Sequence, residues 1–173
     1  KDPGDLNYHR DVLISGLNLF EKLFNYKASY FVPPNGPFSR SLEDTCYNNG
    51  LKYMASSTLV SEPVGDRNVR RSIHWLGQQS RSGIVYLIRN CHFEPSTPGN
   101  DWINNCLRDV CQAFSFNKPA IISSHRVNYI GALNVQNRNN GVRKLRSLLR
   151  SILNRWPETE FMTPQELGSL VSR

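Results

Sequence analysis

Residues 84–125 read IVYLIRNCHFEPSTPGNDWINNCLRDVCQAFSFNKPAIISSH. Ile84–Ile88 is an unbroken apolar run of strand length, the signature of a strand buried on both faces. Asp101 precedes Trp102, Cys106, Leu107, Val110, Cys111 and Phe114, whose spacing predicts a capped helix with these residues on its apolar face. Lys118-Pro119 then resets the chain for a second apolar strand, Ala120–Ser124. Strand, helix and strand joined by short links predict parallel strands connected by a right-handed crossover. Ligand sites in such folds lie past the carboxyl ends of the strands.

The same alternation extends outward in both directions. Val12, Leu13, Leu17, Phe20, Leu23 and Phe24 predict an amphipathic helix over 11–25, followed by a strand at Ser29–Pro34 that two prolines stop. Ser41 and Asp44 form a helix start signal, Gly50 a stop, and Lys52–Ser56 the next strand. Ser72–Gly77 and Gly83–Asn90, flanking Gln-Gln-Ser-Arg-Ser, read as a β-hairpin that leads into the core strand. Toward the C-terminus, Asn139 or Asn140 is expected to cap a helix carrying Val142, Leu145, Leu148, Leu149, Ile152, Leu153 and Trp156 on one face, ended by Pro157. Glu160–Met162 reads as a last strand, and Thr163-Pro164-Gln165-Glu166 opens a final helix with an N-cap, Pro at N1 and Glu at N3. The expected fold is a single α/β domain over residues 1–173, with a mainly parallel sheet and an inserted β-hairpin.

Composition narrows the classes. Apolar content of 39% and charged content of 20% are ordinary for a globular chain and argue against wholesale disorder. No apolar run approaches the length of a membrane span. The net charge of +7 raises nucleic acid as a partner, but the basic residues divide between Arg67, Arg70 and Arg71 and the segment with Arg143, Lys144, Arg146, Arg150 and Arg155. No zinc-finger spacing or RNP-like motif accompanies them, so an ordinary solvated surface, or one facing an anionic glycan, is the simpler reading. The four cysteines lack CxxC spacing and read as buried reduced thiols.

Two strand ends are unusually polar: Arg89-Asn90-Cys91-His92-Phe93-Glu94, and Ser123-Ser124-His125-Arg126-Val127-Asn128-Tyr129. A histidine there can exchange protons near neutral pH, which makes His125 the candidate acid or base. Glu94 is the best-placed carboxylate for proton transfer. Arg89 and Arg126 can hold negative charge, and Asn35, Asn90 and Asn128 can bridge hydroxyls. The alternative is a hydrogen-bonded structural histidine among surface arginines. His9, His74, His92 and His125 show no metal-binding spacing, and His74 beside Trp75 reads as an aromatic packing pair.

Three segments carry a family resemblance. Phe31-Val32-Pro33-Pro34-Asn35-Gly36 resembles the F-R-P-P-Y-G segment of polysaccharide deacetylases of the NodB-homology type. Ala120–His125 is similar to their buried strand ending in an active-site histidine, and Glu160–Leu167 to their terminal F-V-T-x-x-E-L. The resemblance implies part of a (β/α) deacetylase-like barrel that removes acyl groups from amino sugars with a divalent metal. The family's metal-binding segments, T-F-D-D and H-(S/T)-x-x-H, have no match here, so the chain resembles the C-terminal part of such a barrel. On this reading the chain itself holds no cofactor, and a divalent metal belongs to a full-length protein. Val32 and Asn35 replace the family's Arg and Tyr, and Arg89-Asn90 stands where a carboxylate is expected.

The leading expectation is therefore a carbohydrate-active hydrolase acting on a glycan, with His125 as proton donor. A non-catalytic glycan-binding or scaffold domain and a nucleic-acid-binding domain are the alternatives. A partial barrel would also leave strand edges uncovered, so self-association is expected.

Overall fold

The computed structural model describes residues 3–34, 36–65 and 68–172. Chain contacts divide into two compact units, Lys1–Ile88 with Met162–Arg173, and Arg89–Phe161.

In the first unit, α1 (Pro3–Phe24) begins earlier than its apolar periodicity alone suggests, with Pro3 in the first turn, where proline's missing N–H is harmless. It stops where Asn25 turns left-handed (φ 64°) and its N–H bonds Glu21 O at 2.8 Å. β1 (Tyr30–Phe31) is followed by a 3-10 turn (Arg40–Leu42), α2 (Glu43–Asn48) and β2 (Tyr53–Ser56). Gly50 takes the expected left-handed position after α2 (φ 98°). Next come β3 (Leu59–Gly65), β4 (Asn68–Ile73) and β5 (Val85–Ile88). Strands β1, β2 and β5 form a parallel sheet in the order β1-β2-β5. The β-hairpin is β3–β4, a step earlier than expected. In place of the pairing expected between Ser72–Gly77 and Gly83–Asn90, one isolated antiparallel bridge forms, Gln79 to Val85. The hairpin's strands expose Leu59, Val69 and Ile73 and bury Glu62, against the apolar-in, polar-out alternation by which a strand is read, and this hid them.

The core of this unit gathers Cys46, Leu51, Met54, Ile84, Tyr86 and Ile88, with Leu13 and Leu17 of α1 against it. A final helix, α5 (Pro164–Val171), carries the full capping box between Thr163 and Glu166 that the sequence announces. Gly168 lies so close to Tyr53 that a Cβ would overlap the ring.

The second unit is a β-α-β unit closed by a long helix. β6 (Cys91–His92) leads through α3 (Trp102–Ser115) to β7 (Ile122–Ser123), which pairs with β6 in parallel. Asp101 caps α3 by accepting Asn104 N–H at 3.1 Å. A 3-10 turn (Arg126–Tyr129) precedes α4 (Val135–Arg155). Its cap is Asn134, not Asn139 or Asn140, because the Asn134 side chain already satisfies Gln136 N–H at 2.9 Å. Cys91, Phe93, Cys106, Leu107, Val110, Leu148 and Ile152 form the core, and burying each large apolar side chain contributes roughly 1.5–3 kcal/mol.

Residues 160–162 form no strand, and no closed barrel is built among the described strands. What the structure shows is a mixed α/β architecture with mostly parallel pairing and one inserted hairpin. No helix among the described residues is long and apolar enough to cross a membrane.

Cys111, expected on the apolar face of α3, is exposed, whereas Cys46, Cys91 and Cys106 are buried and unpaired. Burial pushes the thiols of Cys46 and Cys91 up to about 12 and that of Cys106 to about 11. Thiolate is the reactive form, so an aromatic disulfide reagent at pH 8 should titrate Cys111 promptly and the other three only after denaturation. Prompt reaction of two or more thiols in the native chain would contradict this packing.

Candidate active site

The register of the β6–β7 pair aligns His92 with Ser123. Glu94 lies two residues beyond His92, and His125 two beyond Ser123. Parallel strands point the same way, so equal offsets bring the two side chains together at the carboxyl end of the pair. Phe93 N–H extends the ladder to Ser123 O at 2.9 Å and holds the two segments in step.

Glu94 Oε1 accepts from His125 Nδ1 at 2.8 Å and from the His125 backbone N–H at 3.2 Å. Its other oxygen accepts from Asn128 Nδ2 at 2.7 Å. Asn128 is 1% exposed, and its side chain also donates to His125 O at 2.8 Å and accepts from Ser96 N–H at 2.9 Å. A buried amide with every polar atom engaged is a rigid bracket, and this one holds both members of the Glu94–His125 pair. An ionised carboxylate only accepts, so Nδ1 carries hydrogen and Nε2 is left to exchange protons. The His125 side chain is 73% exposed and Nε2 has no partner among the described residues. Helix α4 supports the loops: Asn137 Nδ2 donates to Val127 O and Ile130 O at 2.8 and 3.0 Å, and Lys144 Nζ to Pro95 O at 2.9 Å. A Cβ at Gly141 would overlap the carbonyl of Asn128.

The structure thus brings Glu94, His125 and Asn128 together, with the exposed Arg126 next along the chain. Arg89 instead donates to Ser123 Oγ at 3.2 Å. Asn90 bonds Pro119 O and Ile121 N–H at 3.0 and 2.7 Å, at the amino-terminal end of the β6–β7 pair, opposite Glu94. Its amide is spent on aligning the strands and does not reach the site. Asn35 lies outside the described residues.

A second polar cluster, absent from the sequence reading, lies in the first unit at the end of β2. Glu62, 1% exposed, pairs with Arg70 opposite it on the hairpin at 2.5 Å and accepts the Arg40 backbone N–H at 2.9 Å. His74 is buried; Nε2 meets Arg40 at 3.1 Å and Nδ1 meets Ser56 Oγ at 2.9 Å. A guanidinium only donates, so Nε2 accepts and the ring is neutral. His74 stacks on Tyr86 (centroids 3.9 Å apart), whose hydroxyl donates to the buried Glu43 at 2.6 Å. The expected partner, Trp75, is instead 61% exposed. The cleft over this cluster is about 20 Å³, room for a water at most, so the network is a structural clamp. The signal for it was the cross-strand Glu62–Arg70 pair, readable only once the hairpin is in register.

Burial, with Arg40 adding to it, holds the His74 pKa below its ordinary 6.5, while Glu62 pulls the other way. Arg70, Glu43 and Tyr86 complete the charged and titratable surroundings of the ring. The unfolded chain therefore binds this proton more readily than the native one, and stability is lost as pH falls below about 6.5. Burial raises the Glu43 pKa above 4.5, an opposing contribution that costs stability as pH rises past 4.5. Urea midpoints measured between pH 5 and 7 should rise with pH more steeply in the wild type than in His74→Gln. Equal slopes would show that His74 is not held neutral.

The residues described do not fit the divalent metal that the family resemblance implies. His9 faces Asp5 on α1 at 3.8 Å, His74 is enclosed by Arg40 and Ser56, and His125, though open at Nε2, joins no cluster of further ligands among the described residues. Among the described residues no group of three His, Cys, Asp or Glu side chains is placed to hold a metal ion. Comparison with family models, curated proteins and solved structures found no match for this chain.

Proposed function

We propose that the chain is part of a carbohydrate-active hydrolase of polysaccharide-deacetylase-like fold, with His125 as proton donor to the leaving group. The observation that carries this reading is the Glu94–His125 pair, engaged at Nδ1 and open at Nε2. Glu94 fixes the ring's tautomer and stabilises the imidazolium, and Asn128 locks both in place. Arg126 is the exposed charge nearest in sequence to bind an anionic group or the charge that develops during attack. Asn128 thus moves from a substrate ligand to a positioning residue. Arg89 and Asn90 are engaged by the protein itself and are not assigned to the glycan. A non-catalytic glycan-binding domain would have no need of a histidine oriented in this way.

In this reading a divalent metal, if the full-length protein uses one, is held by residues outside those described, and the steps above do not depend on it. Self-association belongs to the same proposal. Strand β1 is an edge of its sheet among the described residues, and α1 exposes Val12, Leu19, Leu23 and Phe24 beside an apolar groove of about 880 Å³.

The test is to incubate the full-length protein with acetylated and unacetylated oligosaccharides and to assay released acetate and new reducing ends. Product from either class supports a carbohydrate hydrolase. Turnover confined to non-carbohydrate esters, or absent throughout, overturns it.

A further inference from the structure

Helix α4 reads VQNRNNGVRKLRSLLRSILNR, with Arg138, Arg143, Lys144, Arg146, Arg150 and Arg155 and no acidic residue. Gly141, Leu148 and Ile152 are its buried side. Positions related by i, i+3 and i+7 share a helix face, so Arg143, Arg146 and Arg150 form one row directly opposite that buried side. All three are exposed. At 1.5 Å rise per residue the row is about 10 Å long, with its charges about 4.5 and 6 Å apart. Among the described residues none of the three meets an Asp or Glu; Arg143 touches only the Asn140 amide oxygen, at 3.1 Å. Like charges at i,i+3 and i,i+4 destabilise a helix, and an ordinary solvated face interleaves acids to relieve this. Here the repulsion is left in place, as it is where an external polyanion supplies the counter-charge.

We infer that this row binds an acidic polysaccharide, a chain bearing carboxylate or sulfate groups, as a surface of its own that goes beyond the site proposed above. Guanidinium forks match such oxyanions in two-point geometry. Asn139, Ser147 and Asn154 flank the arginines on the same exposed face and offer amide and hydroxyl groups to sugar hydroxyls. The helix contains no aromatic residue on which a base could stack, which favours a glycan over a single-stranded nucleic acid. Asn137 and Lys144, on the buried side of the same helix, hold the loops of Ser96, Val127 and Pro95 beside the Glu94–His125 pair, so the arginine row faces away from that pair.

The test is binding of the 173-residue chain at about physiological salt, where weak surface attraction is screened. Polygalacturonate oligomers, neutral chito-oligosaccharides and single-stranded DNA serve as probes. The wild type should bind the uronate oligomers and not the neutral ones. Arg143→Ala/Arg146→Ala/Arg150→Ala should weaken uronate binding by about tenfold or more, while Lys22→Ala/Lys27→Ala/Lys118→Ala, with the same loss of net charge, changes it by less than about twofold. Equal weakening by the two triple variants, or no preference for the uronate, overturns the proposal. Tighter binding of DNA overturns it in favour of a nucleic-acid surface. His125→Ala should bind as the wild type does. If the arginine row proves real while His125→Ala keeps full turnover in the full-length protein, the catalytic reading fails and the binding surface stands.

Discussion

On the proposed hydrolase reading, replacing His125 with Ala is expected to lower turnover of a glycan substrate by roughly 10²–10⁴-fold, the usual worth of a positioned general acid. The Michaelis constant moves little, because the ring is 73% exposed and its loss leaves the fold's cores untouched. Glu94→Gln separates two contributions. The amide oxygen can still accept the Nδ1–H bond, 2.8 Å long in the wild type, but the negative charge that stabilises the imidazolium is gone. Its turnover should fall by about 10–100-fold, between wild type and His125→Ala. Steady-state kinetics over pH 5–9, with circular dichroism to establish folding, decide the matter. Unchanged turnover in His125→Ala would remove the histidine from the mechanism.

The second large effect comes from one missing methyl group. Helix propensity favours Ala over Gly inside a helix by about 1 kcal/mol, so Gly141→Ala in α4 would ordinarily stabilise. Here the added Cβ would occupy the space of the Asn128 carbonyl, a backbone atom with no rotamer to escape into. Either the 3-10 turn over Arg126–Tyr129 moves or α4 does. The expected cost is about 1–3 kcal/mol, or a fall of about 2–4 °C in Tm per kcal/mol. Asn128 would also carry Glu94 and His125 out of alignment, so activity should drop more than stability explains. Gly16→Ala in α1, where a Cβ meets nothing within 4 Å, is the control and should raise Tm slightly. Gly141→Ala behaving like Gly16→Ala would show that the close approach is wrong.

What could be read from the sequence depended on how local the determining physics is. Asp101 and the Thr163–Glu166 capping box act within one helical turn, and both caps form as expected. The start of α4 was misplaced because Asn134, Asn137, Asn139 and Asn140 are all able to cap, and only the backbone decides which one does. Glu160–Met162 has the apolar content of a strand, but no partner strand receives it. Glu94 and His125 were legible as polar residues beyond apolar strands. The burial of Asn128 was not, because it arises from α4 packing over the 3-10 turn. The Glu62–Arg70–His74 cluster was hidden for the same reason: it exists only once β3 and β4 pair in register.

The alignment of His92 with Ser123 carries a further consequence for how this site can change over time. The pair is located by counting along the backbone: two steps past each ladder partner. The excursion between the strands, which includes all of α3, does not enter that count. Insertions, deletions or replacement of residues between Pro98 and Lys118 can therefore accumulate without shifting the Glu94–His125 geometry, provided the helix still covers the core. A single residue gained or lost between Cys91 and Glu94, or between Ile122 and His125, would rotate one partner to the other side of the sheet and abolish the pair. Among descendants of this chain, length is free in the crossover and fixed in two segments of four residues each, whatever side chains those segments come to carry.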